Sequence, residues 1–185
     1  MLSRATVSAR KRSLSRLPQE VGTRVLLSGA GTGLDFPFLT GGHQYTALDF
    51  TRAMLERSRS KAAGLQMEWV RGDSMALPFA DGSLDCVVLH LIVAVVPRPE
   101  RCLAEAARVL KPGGRILIFD KFLRPGERAW LRRGLSVIVA KLATRMDVVF
   151  EEVLSHTPDL KVVSDEPAMV GGWFRLIELT KDRLK

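Results

Sequence analysis

Long apolar runs are missing from this chain. No window of eighteen apolar residues exists in its 185 positions, and the longest apolar stretch, Cys86 to Pro97, is interrupted by His90. A membrane-crossing helix needs about 20 such residues, so none is expected. Cysteine is scarce as well. Cys86 and Cys102 are the only two, both sit in apolar segments, and no Cys-x-x-Cys spacing occurs. That argues against a disulfide scaffold and against a thiolate metal site. It reads both as reduced core thiols of a cytoplasmic protein, with no metal expected. Aromatic residues are absent from the first 35 positions, so the stacking platform that single-stranded nucleic acid needs is missing there. Internal repeats, low-complexity segments and visible linkers are also absent.

Acids are scarce at the N-terminus. Arg4, Arg10, Lys11, Arg12 and Arg16 are opposed there only by Glu20, within a chain of net charge +8. Such an arm can meet phosphate, of nucleic acid or of lipid head groups. It also has the Arg- and Ser-rich, acid-poor look of a transit peptide. The plainer reading is a solvated, partly frayed first helix. Without aromatics, nucleic acid is the weaker partner, and peripheral contact with an anionic membrane surface stays open. The rest of the composition, 46% hydrophobic and 26% charged, is that of an ordinary globular chain. Its length suits one domain. We place the basic arm at 1–20 and a single domain at 21–185.

Short β-type runs alternate with helical patterns. Strands are expected at Arg24–Ser28, Gln44–Asp49, Gln66–Val70, Leu84–Leu89 and Arg115–Asp120, then at Leu160–Val163 and Trp173–Leu179. Helices are expected from Leu34–Leu39 onward, from the Thr51 N-cap to about Ala63, from Pro99 to Leu110, and over Glu127–Met146. In the last, Leu131, Leu135, Ile138 and Leu142 form a stripe, and scattered basic residues favour core packing over a membrane-surface role. Strand–helix alternation implies an α/β fold: a doubly wound, mostly parallel seven-stranded sheet with helices on both faces and an antiparallel last strand. Ligands on such sheets bind at the carboxyl ends of the strands.

The richest segment is Arg24-Val25-Leu26-Leu27-Ser28-Gly29-Ala30-Gly31-Thr32-Gly33. It is a buried strand running into a glycine turn. The next strand ends in an acid, Asp49, twenty residues after Gly29. Glycines let a ligand approach the backbone, because no Cβ intervenes. An acid at the second strand tip accepts hydrogen bonds from a ribose diol. The spacing is Gly-x-Gly-x-Gly, not the Gly-x-Gly-x-x-Gly of dinucleotide binders, which argues against a nicotinamide oxidoreductase.

Two further segments complete an ordered set: Arg71-Gly72-Asp73-Ser74-Met75-Ala76-Leu77-Pro78-Phe79 after the third strand, and Arg108-Val109-Leu110-Lys111-Pro112-Gly113-Gly114 before the fifth. With these, residues 15 to 180 resemble class I S-adenosylmethionine-dependent methyltransferases, in the branch of quinone and phospholipid methyltransferases. Gly33-Leu34-Asp35-Phe36-Pro37-Phe38-Leu39, Val95-Val96-Pro97-Arg98-Pro99, Phe119-Asp120-Lys121-Phe122 and Gly171-Gly172-Trp173-Phe174 resemble the phospholipid N-methyltransferase type most. The resemblance implies S-adenosylmethionine as cofactor and methyl transfer to a small or lipid-like acceptor, such as a phospholipid amine head group. It implies that Gly29, Ala30, Gly31, Thr32 and Gly33 cradle the cofactor. Asp49 would take both ribose hydroxyls and Phe50 would lie beside the adenine. Asp73 would hold the adenine amino group, next to the Ser74 and Met75 backbone. His90 and Leu91 would face the methyl-transfer chamber, with His90 or Asp120 as candidate proton acceptor.

Each residue has a plainer reading: Asp49 as a helix N-terminal acid, Asp73 as an Asx-turn acid, His90 as a satisfied core residue. Two departures stand out. Leu27 occupies the position where the family usually carries an acid, and only about twenty residues precede the first strand, where relatives carry a closing segment. Both features also suit a cofactor-binding but catalytically degenerate regulatory module.

Overall fold

The computed structural model describes residues 2–123 and 148–183. In chain order the main elements are α1 (Leu2–Leu14), β1 (Arg24–Ser28), β2 (Gln44–Asp49), α2 (Arg52–Ser58), β3 (Gln66–Arg71), β4 (Leu84–His90), α3 (Pro99–Val109), β5 (Leu110–Lys121), α4 (Phe150–Leu154), β6 (Leu160–Met169) and β7 (Phe174–Lys181). The strands form one sheet in the order β3-β2-β1-β4-β5-β7-β6. All pairs from β3 to β5 are parallel, and β7 runs antiparallel to both neighbours. The expected α/β architecture and its reversed last strand are therefore present.

Alternation along each strand divides the core into two layers. Leu26, Leu48, Val87, Leu89, Ile116 and Ile118 face α3 and α4, against Leu103, Ala106, Ala107 and Phe150. Val25, Leu27, Tyr45, Ala47, Val88 and Leu117 face the other way, against Leu14, Leu17, Phe36 and Leu55. β4 is buried along nearly its whole length because it lies between β1 and β5. β3 and β6 are the edges. That position lets β3 alternate exposed and half-buried residues, and lets β6 hold Pro167 beside a register shift. Cys86 and Cys102 are free, buried thiols, and burial pushes both up to about 12.

Beyond shifted strand ends, such as β6 running on from Val163 to Met169, four differences from expectation stand out. The helix expected from Leu34 is a single 3₁₀ turn, Phe36–Phe38. Leu39 already has an extended backbone, and Gly41-Gly42 follow, so no further turn propagates. α2 gives way at Ser58 to a 3₁₀ turn over Arg59–Lys61, before Gly64 at φ +80°. β5 begins at Leu110, because that residue pairs with Leu84 across a register shift and draws the Pro112-Gly113-Gly114 stretch into the strand. The fourth difference is α1. It is not a frayed, solvated arm: Ala9, Arg10, Ser13 and Leu14 are buried, and the helix lies against β5, β6 and the 3₁₀ turn. The helix expected over Glu127–Met146 lies outside the described residues. No helix among the described residues is long and apolar enough to cross a membrane.

Candidate active site

The glycine turn leaves β1 and uses its permissive residues in full. Gly29, Gly31 and Gly33 all have positive φ, at 75°, 53° and 71°. The N–H groups of Gly29 and Ala30 both donate to the Leu48 carbonyl, at 2.9 Å, which ties the turn to β2. A Cβ on Gly29 would lie 2.8 Å from Ile92 Cγ1, and one on Gly33 would lie 2.8 Å from the Phe36 ring. Gly31 differs: a Cβ there would meet nothing closer than 4.0 Å. Its open side is where a ligand can approach the backbone.

Asp49, at the tip of β2, is half-buried. Its Oδ2 accepts from Gly31 N–H at 2.8 Å, and its Oδ1 accepts from Thr51 N–H at 2.9 Å. The carboxylate is thus held against the turn, and each oxygen keeps a lone pair for a further donor. Phe50 beside it is 70% exposed, a bare aromatic face next to the acid. Asp73 lies at the start of the loop after β3. Its Oδ1 accepts from Met75 N–H at 2.8 Å, an Asx turn, while Oδ2 has no protein donor among the described residues. Ser74 is buried, and its hydroxyl meets that of Ser28 at 2.8 Å. Turn acid and ligand acceptor are therefore compatible readings of Asp73. The structure brings Gly29–Gly33, Asp49, Phe50 and the Asp73-Ser74-Met75 loop to neighbouring carboxyl ends of β1, β2 and β3. Thr32 contributes its carbonyl, which accepts from Lys61 Nζ at 2.6 Å.

His90 closes β4 and is placed differently. Its side chain is 1% exposed. Nδ1 faces Asp35 Oδ1 at 2.7 Å, and Nε2 faces the Ser13 hydroxyl at 2.9 Å. Arg10 donates to the same Asp35 oxygen at 2.7 Å. The Phe119 ring packs edge-on to His90 and lies 6.0 Å below the Arg10 guanidinium. Burial works against the charged form of Asp35, but His90 and Arg10 outweigh it and hold the carboxyl below its ordinary value. Both ring nitrogens of His90 are engaged, so the ring as placed has no nitrogen facing an acceptor chamber. Asp120 is equally enclosed. It is 1% exposed, and it accepts from Ala94 N–H and Lys121 N–H. Burial raises it to about 6 against these contacts. Leu91, next in the chain after His90, is the one non-glycine residue with positive φ (57°) among those described, a conformation costing about 1–2 kcal/mol.

Sequence reasoning did not find the Arg10–Asp35–His90–Ser13 cluster. Its members are far apart in the chain and carry no spacing signal. Arg10 was legible only as part of a basic arm, and Asp35 only as part of the segment after the glycine turn. Leu27, where the resemblance calls for an acid, is 1% exposed in the apolar layer shared with Val25 and Val88.

Sheet, glycine turn and strand-tip acids define an α/β protein that binds a nucleoside-containing cofactor at the carboxyl ends of its central strands. Comparison makes this specific. The model of a methyltransferase-domain family matches residues 26–118, about half of the chain. A phosphatidylethanolamine N-methyltransferase of Cereibacter sphaeroides is 35% identical over 165 residues, 86% of this chain and 81% of that protein. A ubiquinone/menaquinone biosynthesis C-methyltransferase of Ruegeria sp. is 44% identical over 106 residues, which span 54% of this chain but only 42% of that protein. Among solved structures, a Haloferax volcanii chain in complex with the Trm112 methyltransferase activator superposes with a TM-score of 0.78 at 21% identity, over 99% of this chain and 92% of the other; at that identity it supports the fold alone. The chain belongs to the S-adenosylmethionine-dependent methyltransferases of class I, and S-adenosylmethionine is its cofactor. When bound, that cofactor supplies an activated methyl group. The spare lone pairs of Asp49 and the Asp73 Oδ2, which has no donor among the described residues, suit its donors, and the open side of Gly31 leaves room for it.

Proposed function

We propose that this enzyme methylates the amine of a phospholipid head group. The observation that carries the reading is the breadth of the match to the phosphatidylethanolamine N-methyltransferase, which spans 81% of that protein. The quinone-biosynthesis match spans less than half of its relative. Gly29, Ala30, Gly31, Thr32 and Gly33 seat the methionine portion and the ribose. Asp49 takes the ribose hydroxyls, Phe50 covers one adenine face, and Asp73 with the Ser74 and Met75 backbone reads the adenine edge. These roles are supported by the orientation of Asp49 onto Gly31 and by the open space at Gly31.

An amine acceptor has to arrive neutral, with its lone pair available. Since His90 and Asp120 are both enclosed and hydrogen-bonded, we propose that the amine proton goes to water before the amine enters. Activity then rises with pH toward the amine's own pKa. Contact with an anionic membrane surface is part of the proposal, but α1 contributes less to it than its composition suggests. Arg10 is spent on Asp35, and Arg12 and Arg16 both pair with Glu166. Among the basic side chains described on α1, Lys11 is left on its exposed side.

The test is transfer of labelled methyl from S-adenosylmethionine to phosphatidylethanolamine in vesicles, with a demethylated quinone in the same vesicles as competitor. We expect label in the phospholipid fraction, with turnover increased by anionic lipid and reduced by salt. Label in the quinone fraction alone would reject the acceptor. No transfer to either acceptor, with cofactor still bound, would favour the degenerate module.

A further inference from the structure

We infer that His90 is a positioning residue rather than a proton acceptor: with Asp35, Arg10 and Ser13 it locks α1 onto the cofactor turn, so that docking of α1 and binding of cofactor are one coupled event. The inference rests on the assignment of Gly29–Gly33 as the cofactor seat.

The geometry carries it in three steps. Asp35 lies two residues beyond Gly33, where a Cβ would stand 2.8 Å from the Phe36 ring and whose carbonyl accepts from Phe36 N–H; displacing Asp35 therefore displaces the end of the turn. Asp35 Oδ1 then receives two donors from different elements, Arg10 of α1 and His90 of β4, each at 2.7 Å. Finally Ser13, one helical turn beyond Arg10, meets the far nitrogen of His90 at 2.9 Å. The four side chains form a closed clamp between α1, the turn and the end of β4. Arg10, Asp35 and His90 are 9%, 7% and 1% exposed, so little water is available to replace a lost partner. On its other side, polar ties between α1 and β6 come from exposed or half-exposed groups, Arg12 and Arg16 to Glu166 and Arg16 to Ser164, beside the apolar packing of Ala9 in the cluster that includes Ala168 and Met169. The buried clamp, not the surface pairs, is the link that reaches the seat.

Coupling is reciprocal: whatever α1 docking adds to cofactor affinity, bound cofactor adds to α1 docking. Two measurements follow, both on the full chain. The first is calorimetric titration with S-adenosylhomocysteine of wild type and of Arg10→Met, Ser13→Ala, His90→Leu and His90→Asn. Asn can reproduce a donor near the Nδ1 position but cannot act as a base. We expect Arg10→Met and His90→Leu to weaken binding by about 5- to 50-fold, Ser13→Ala by less, and His90→Asn to recover most of the loss. In turnover assays the loss should fall on KM for the cofactor more than on kcat, and the pH–rate profile should keep its shape in His90→Asn. The second is tryptic cleavage at Lys11, which S-adenosylhomocysteine should slow in wild type and not in Arg10→Met.

A fall in kcat alone on His90→Asn, with a lost limb in the pH profile, would overturn the inference and make His90 a base. Unchanged affinity in Arg10→Met would overturn it as well. If wild type bound no S-adenosylhomocysteine, the seat itself would be wrong and the coupling would fall with it. If His90→Leu does not fold, Ser13→Ala keeps every charge and still decides the matter: unchanged affinity and unchanged protection there would overturn the coupling.

Discussion

The two halves of the candidate site are made of different materials. The proposed cofactor half is mostly backbone: three left-handed glycines, a carboxylate held by main-chain N–H groups, and an Asx turn. Its parts are near in sequence, with Gly31 and Asp49 separated by 18 residues. The half under α1 is mostly side chain. Its contacts join residues 25, 55 and 77 positions apart. A backbone site needs particular residues at particular places along a local path, and a side-chain cluster needs only that the fold bring complementary groups together.

Breaking the cofactor half should have the largest effect. Asp49→Ala removes the charged acceptor of Gly31 N–H and of the proposed ribose contacts. We expect at least about 100-fold weaker S-adenosylhomocysteine binding by calorimetry, since each hydrogen bond to a charged group contributes about 1.5–3 kcal/mol. Gly33→Ala adds a Cβ 2.8 Å from the Phe36 ring at φ +71°. Clash and left-handed backbone together should cost about 3 kcal/mol, read as a lower denaturation midpoint. Gly31→Ala sharpens the contrast. Nothing crowds its Cβ, so stability should fall by only about 1 kcal/mol while cofactor affinity falls at least about tenfold. If stability and affinity fell in proportion in both variants, the open side of Gly31 would not be a ligand face.

Acid and base titration divide the α1 half from β5. Asp35 is held below its ordinary value of 3.8. Its stabilisation is therefore complete above that pH and is lost as pH falls through the lower folded value. Asp120 runs the opposite way. Raised from 3.8 to about 6, it favours the fold fully below 3.8, and that contribution is lost as pH rises through about 6. Asp120→Asn should flatten the fall in stability between those two values, measured by denaturation at a series of pH values. Asp35→Asn should blunt the acid-side loss instead. Smallest of all, Glu166→Gln removes only surface partners of Arg12 and Arg16. It should cost under about 1 kcal/mol, and less at high salt.

The same division explains what was legible in the sequence. The sheet followed from short apolar runs, and β1 and β2 end where their composition ends, at Ser28 and Asp49. The glycine turn announced itself because left-handed backbone demands glycine. The helix expected after it failed because apolar periodicity over six residues does not show that the chain turns extended at Leu39. The burial of α1 was hidden by its charge. Arg10 reads as solvated in a basic arm, and only the fold supplies Asp35 opposite it. His90 carried two readings in the sequence, and the position of Asp35 and Ser13 around it is what separates them.

Cys86 and Cys102 give the molecule two internal clocks. Cys86 lies in the middle of the sheet, opposite Val25 and Arg115, and Cys102 lies on the buried face of α3. With both thiols pushed up to about 12 and shut away, a thiol reagent at neutral pH has to wait for the structure to open. Cys102 should react whenever α3 lifts from the sheet, and Cys86 only when the sheet itself parts. The gap between the two labelling rates would time, in one tube and without substitution, how far the helical layer comes away before the strands do.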